Sequence, residues 1–144
     1  ERMLETMSEA AGNMPIIAPL RTDAAQVVQL LDASKHRNLH IVQPLGYLEF
    51  SYLLLNAAGV ITDSGNVAEE ATFTNVPCAT LNSYTEHIET VKQGTNVLVG
   101  EDAQKLRTAV SDMVSGKWKT ATIPDRWDGR SAERIIQTLI DFVK

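Results

Sequence analysis

Short apolar runs and amphipathic stretches take turns along this chain. Residues 1–12 carry Met3, Leu4, Met7, Ala10 and Ala11 at helical spacing, and Gly12 with Asn13 supplies a stop. Residues 14–19 (MPIIAP) form an apolar run between breakers, the pattern of a buried strand. Thr22 can cap a helix whose Ala24, Val27, Val28 and Leu31 share one face. Further strands are expected at 39–42, 59–62, 77–81 and 96–99, with Pro77 confined to the first residue of its strand. Residues 47–58 (YLEFSYLLLNAA) are apolar nearly all round and predict a deeply buried helix. Helices are also expected at 65–74, around 86–93, and from an Asp102 cap to Gly116. Residues 117–126 read as loop. A last helix starts at Ser131 or Asp128 and turns Ile135, Ile136, Leu139, Ile140 and Val143 inward, with Trp118 and Trp127 packing between it and the rest.

Strands that alternate with helices pair in parallel through right-handed crossovers, and continuous apolar strands mean both sheet faces are covered. The expectation is an α/β fold: a doubly wound three-layer sandwich around one five-stranded parallel sheet. Ligands of such sheets bind outside the carboxyl ends of the strands, which singles out the loops at 19–23, 43–46, 63–66, 82–89 and 100–102.

Composition narrows the function. With 44% apolar and 22% charged residues in 144, the chain is one globular domain rather than a disordered segment. It opens at Glu1 within a helical pattern, which reads as a piece of a longer protein. The single cysteine, Cys78, excludes a disulfide scaffold, and a reducing, cytoplasmic setting is the expectation. The longest apolar stretch, near 52–58, is far short of a membrane span. A net charge of −5 without a Lys/Arg cluster argues against a nucleic-acid partner. Acidity does not exclude a phosphorylated ligand, because helix N-termini hold phosphate through backbone N–H groups.

Residues 63–70 (DSGNVAEE) carry the most chemical information, where a buried strand turns into a helix. Ser64 offers a hydroxyl, Gly65 lets a ligand approach the backbone, and the N–H groups of Gly65, Asn66 and Val67 lack helical partners. A diphosphate fits there without any lysine. Glu70, six positions after Ser64, can accept hydrogen bonds from ribose hydroxyls. An ordinary cap with solvated first-turn carboxylates at Glu69 and Glu70 explains the same residues equally well. The loop at 82–89 (NSYTEHIE) gathers Thr85, Glu86 and His87 beside the same strand ends; a helix start capped by Thr85 is its plainer reading. Phe50 reads as core, or as an aromatic support for a base. No nucleophile elbow, P-loop or dinucleotide fingerprint occurs. His36, His40 and His87 lack metal-ligand spacing, no metal is expected, and Cys78 reads as a small core residue.

Four stretches in order resemble the carboxyl-terminal half of the non-hydrolysing UDP-N-acetylglucosamine 2-epimerases: PLGYLEF (44–50), TDSGNVAEEA (62–71), TEHIETVKQGTNVLVG (85–100) and DGRSAERI (128–135). The resemblance implies two doubly wound domains, as in GT-B glycosyltransferases, with the active site in the cleft between them. This chain is then the second domain, which holds UDP, and no cofactor is implied. Ser64, Gly65 and Asn66 match positions that grip the diphosphate, Glu70 the ribose position, and Phe50 a position beside uracil. Thr85 and Glu86 fall in a substrate-binding stretch, and His87 is the one catalytic candidate. The implied reaction inverts C2 of the sugar by eliminating UDP to a 2-acetamidoglucal and re-adding it. Most proton-transfer groups would then lie in the absent amino-terminal domain, and the full-length protein would be a homodimer serving cell-surface polysaccharide synthesis. The chain departs from the pattern at Asn66 (for Gly), His87 (for Arg), Leu45 (for a polar residue) and Arg21 (for His). Arginine is a permanent forked cation, whereas an imidazole with the ordinary pKa of about 6.5 is mostly neutral at pH 7. UDP-sugar affinity is therefore expected to strengthen as pH falls through that range, and equal affinity on both sides would dismiss the idea. Two rival functions fit the same residues: a GT-B glycosyltransferase donor domain, and a non-catalytic nucleotide-sugar-binding module.

Overall fold

The structure, a computed structural model, describes residues 2–20 and 36–143. The helix expected after Thr22 and the departure at Arg21 lie outside the described residues. The chain runs α1 (Arg2–Ala11), β1 (Ile16–Pro19), β2 (Leu39–Val42), α2 (Tyr47–Asn56), β3 (Val60–Thr62), α3 (Gly65–Phe73), β4 (Cys78–Thr80), α4 (Ile88–Lys92), β5 (Asn96–Leu98), α5 (Ala103–Ser115) and α6 (Ser131–Val143). Local chemistry sets several of these ends. Gly12 and Gly116 leave their helices with φ of 59° and 67°, where a side chain would be strained. The Asp102 carboxylate caps α5 by accepting from the N–H groups of Gln104 (2.9 Å) and Lys105 (3.1 Å).

Among the described residues all strand pairs are parallel, but the strands form two sheets, β1-β2 and β3-β4-β5, rather than the single five-stranded sheet expected. Proline explains the break. Along β1 the N–H groups of Ile16 and, just beyond it, Leu20 donate to the β2 side, to Asn38 and Val42. In a parallel ladder alternate residues face the other neighbour, here positions 15, 17 and 19. Two of those three, Pro15 and Pro19, have no N–H to give.

The three-stranded sheet is covered on both faces, as its period-two pattern requires. Ile61, Ala79 and Val97 stand in register and pack with α1 and α5 around Ala11, Val99, Leu106, Ala109, Val110 and Met113. Val60 and Cys78 face the other way, against Leu54 of α2, Ala68 and Ala71 of α3, and Val76. Burial pushes the Cys78 thiol up to about 12, so it is an inert core group.

Two helices depart from expectation. In α2 only Leu54 is buried, while Tyr47, Leu48, Tyr52 and Leu55 are all more than half exposed. The helix meets α3 along one edge, through Phe50 and Leu54, so its all-round apolar character is not matched by all-round contact. In α6 no residue is buried, and Ile135, Ile136, Leu139, Ile140 and Val143 face outward among the described residues. Its amphipathic stripe is present, but none of its residues is buried among the described residues. Trp118 accordingly does not seat α6: it packs on the α1–α5 core and donates from Nε1 to Thr95 O at 2.7 Å.

Candidate functional site at the start of α3

The carboxyl ends of β3 and β4 lie side by side, and the segment leaving β3 becomes α3 within two residues. Ser64 is the N-cap residue, in extended conformation (φ −93°, ψ 126°). Its own N–H is taken by Thr62 Oγ1 (3.0 Å), and its carbonyl accepts the first helical bond from Ala68 N–H (3.3 Å). The Ser64 side chain makes no capping bond. The N–H groups of Gly65, Asn66 and Val67 therefore have no protein acceptor among the described residues, and they sit at the positive end of the helix dipole. Asn82 Nδ2 donates to Asp63 O (3.0 Å), which ties the neighbouring loop to this turn.

His87 caps the adjoining α4 and reaches across to α3. Its Nδ1 lies 2.8 Å from Glu69 Oε1, with the two side chains 32% and 40% exposed. The ring lies over Gly65, where an added Cβ would be 2.5 Å from both Nε2 and Cδ2. Gly65 thus lets the ring approach this closely, and its φ is not one that favours glycine. Thr85 is half-buried and its Oγ1 accepts from His87 N–H (3.0 Å), whereas Glu86 and Asn66 are exposed.

A groove of about 520 Å³ runs between α2 and α3. Its walls include Glu69 and Glu70 of α3, Tyr47 and Ser51 of α2, and Trp127. Glu70 is half-buried there, about one helical turn beyond the free amides. The structure therefore brings Ser64, Gly65, Asn66, Thr85 and His87 together and places Glu70 on the wall of the adjoining groove. Phe50 is not on that wall: it is half-buried against the core cluster that holds Leu54, Ala68, Ala71, Val76 and Cys78. Sequence reasoning missed Tyr47 and Ser51, whose i, i+4 spacing on α2 was hidden by the surrounding apolar run, and left Trp127 to packing. It also read Glu69 as a solvated carboxylate. Among the described residues no cluster of three or more His, Cys, Asp or Glu side chains could hold a metal, and no helix is long and apolar enough to cross a membrane.

The family model for UDP-N-acetylglucosamine 2-epimerase matches residues 1–140. The chain belongs to that family. A UDP-N-acetylglucosamine 2-epimerase of Methanocaldococcus jannaschii is 44% identical over 106 residues, covering 72% of this chain and 28% of the relative. A UDP-2,3-diacetamido-2,3-dideoxy-D-glucuronate 2-epimerase of Pseudomonas aeruginosa is 33% identical over 145 residues, covering 95% of this chain and 38% of the relative. Among solved structures, the Methanocaldococcus jannaschii UDP-GlcNAc 2-epimerase in complex with UDP-GlcNAc and UDP superposes with a TM-score of 0.73 at 33% identity, covering 96% of this chain and 41% of that one. The chain thus spans well under half the length of the epimerases it matches.

Proposed function

We propose that this chain is the UDP-binding domain, the carboxyl-terminal one, of a UDP-N-acetylglucosamine 2-epimerase. The observation that carries the reading is the start of α3: three acceptor-free amides, an unspent serine hydroxyl and a glycine beneath an imidazole. A diphosphate placed there would accept from the Gly65, Asn66 and Val67 N–H groups and from Ser64 Oγ, with Asn66, Thr85, Glu86 and His87 around it and Glu70 on the ribose. Phe50, half-buried in the core beside α3 and absent from the groove wall, would bear on the uracil only through the seating of α2.

The chemistry this domain would supply is leaving-group stabilisation. Elimination of UDP places negative charge on the diphosphate, and preorganised helix dipoles favour that charge without reorganising. Complete catalysis needs a second domain, with which this one would form the cleft in a cytoplasmic homodimer. With hydrogens on both ring nitrogens, His87 would donate from Nε2 to the diphosphate while Nδ1 stays on Glu69, in place of a permanent guanidinium. A 2-epimerase acting on another UDP-sugar is a second reading. The Pseudomonas relative, which this chain covers along 95% of its own length, favours it.

UDP binding to the isolated chain is the first test. At ten times its Kd, UDP should stabilise the fold by about 1.4 kcal/mol and raise Tm by about 3–6 °C; no shift up to millimolar UDP would dismiss the reading. The full-length protein supplied with UDP-GlcNAc should form UDP-ManNAc under the first reading and not under the second.

A further inference from the structure

His87 is unusual in having its polar groups committed on three sides. Its N–H donates to Thr85 Oγ1, its carbonyl accepts from both the N–H (3.0 Å) and the hydroxyl (2.7 Å) of Thr90, and Nδ1 faces Glu69 Oε1. The Thr90 hydroxyl in turn accepts from Asn96 Nδ2 (3.1 Å), and Asn96 Oδ1 accepts from Thr80 Oγ1 (2.7 Å). Thr80, Thr90 and Asn96 are at most 3% exposed. This buried polar chain runs from the central strand β4, through the side chain of β5's first residue, to the backbone of a residue at the surface. Buried polar groups are costly unless satisfied, and a satisfied chain fixes geometry in a way that apolar packing does not. Geometry is what α4 lacks by itself, since five residues do not make a stable helix.

We propose that Thr90 and Glu69 are positioning residues that hold the His87 imidazole over the start of α3. Thr90 fixes the backbone from inside, and Glu69 fixes the ring from outside. A carboxylate only accepts, so Nδ1 carries the hydrogen in that pair, and Nε2 is the nitrogen turned toward Gly65. The ring is thereby oriented before any ligand arrives, which spares its immobilisation on binding. This inference rests on reading the α3 start as the diphosphate seat.

The test uses the chain with Thr90→Val, Thr90→Ser and Glu69→Ala, read in two ways. The first is the nuclear Overhauser contact between the His87 ring and the Gly65 α-protons without ligand; the second is UDP affinity by calorimetry, scaled to the folded fraction. Thr90→Val and Glu69→Ala should each weaken the ring contact and reduce UDP affinity by about fivefold. Thr90→Ser, which keeps the hydroxyl, should retain both. A ring contact and UDP affinity unchanged in Thr90→Val and Glu69→Ala, or equal losses in Thr90→Val and Thr90→Ser, would overturn the proposal. If the ring contact responds as stated while UDP fails to bind the unaltered chain, the positioning is upheld and the UDP reading falls.

Discussion

Gly65→Ala should separate ligand binding from folding. The new Cβ would lie 2.5 Å from Nε2 and Cδ2 of His87, against an ordinary contact of about 3.5 Å or more. The ring must therefore retreat by about 1 Å, which takes Nδ1 out of hydrogen-bond range of Glu69, now at 2.8 Å. Stability should hardly change. Gly65 is not in the left-handed region, so alanine gains about 0.4–1 kcal/mol from the unfolded chain, while the half-exposed pair it disrupts is worth about 0.2–1 kcal/mol. The two effects nearly cancel, and Tm should stay within about 2 °C. Binding should suffer, because a methyl group intrudes where the diphosphate meets the helix and the imidazole is displaced. We expect UDP affinity to fall about tenfold, or about 1.4 kcal/mol. Differential scanning fluorimetry and calorimetry read the two quantities. Wild-type UDP affinity in a folded Gly65→Ala protein would refute the placement of the diphosphate.

Glu70→Ala should remove more than half of the UDP-induced rise in Tm, and Glu69→Ala a smaller share, as seen by fluorimetry at a fixed UDP concentration. The two N-cap residues should differ in the absence of ligand. Asp102→Ala, which loses bonds to two amides, should lower Tm by about 2–4 °C, and Ser64→Ala, which loses none, should leave it within about 1 °C. Cys78 sets an alkaline limit. Its thiol is pushed from 9.0 to about 12 by burial, so the folded state binds its proton more tightly, and stability present below pH 9 is lost as pH rises toward 12, by up to about 1.4 kcal/mol per pH unit. Burial shifts Lys119 downward, which favours the fold slightly as pH rises toward 10.5 and opposes that loss. Denaturation at pH 8 to 11 should show the decline, and Cys78→Ala should flatten it.

Much of this architecture was legible because strand and helix periods differ. The run at 39–42 became β2 at both ends, Asp102 and Gly116 bounded α5 as their capping chemistry requires, and DSGN fell at a strand-to-helix turn. The divided sheet was legible in principle, since it follows from Pro15 and Pro19 falling on the same side of β1. Alternation along β1 had simply not been carried through to hydrogen-bond direction. The exposed faces of α2 and α6 could not be read at all. Periodicity tells which side of a helix is apolar, not whether a partner surface lies within reach. Glu69 reads in the sequence only as a solvated first-turn carboxylate, for a related reason. Its role depends on a loop eighteen residues away, and no local pattern announces that His87 arrives beside it.

We place a nucleotide's diphosphate on the first amides of α3. The most direct measurement is an amide nitrogen–proton spectrum of the isotope-labelled chain titrated with UDP and, separately, with uridine. Saturable shifts are expected at the Gly65, Asn66 and Val67 amides with UDP, and none at these amides with uridine. Saturation by UDP elsewhere in the spectrum, with these three amides unmoved, would contradict it.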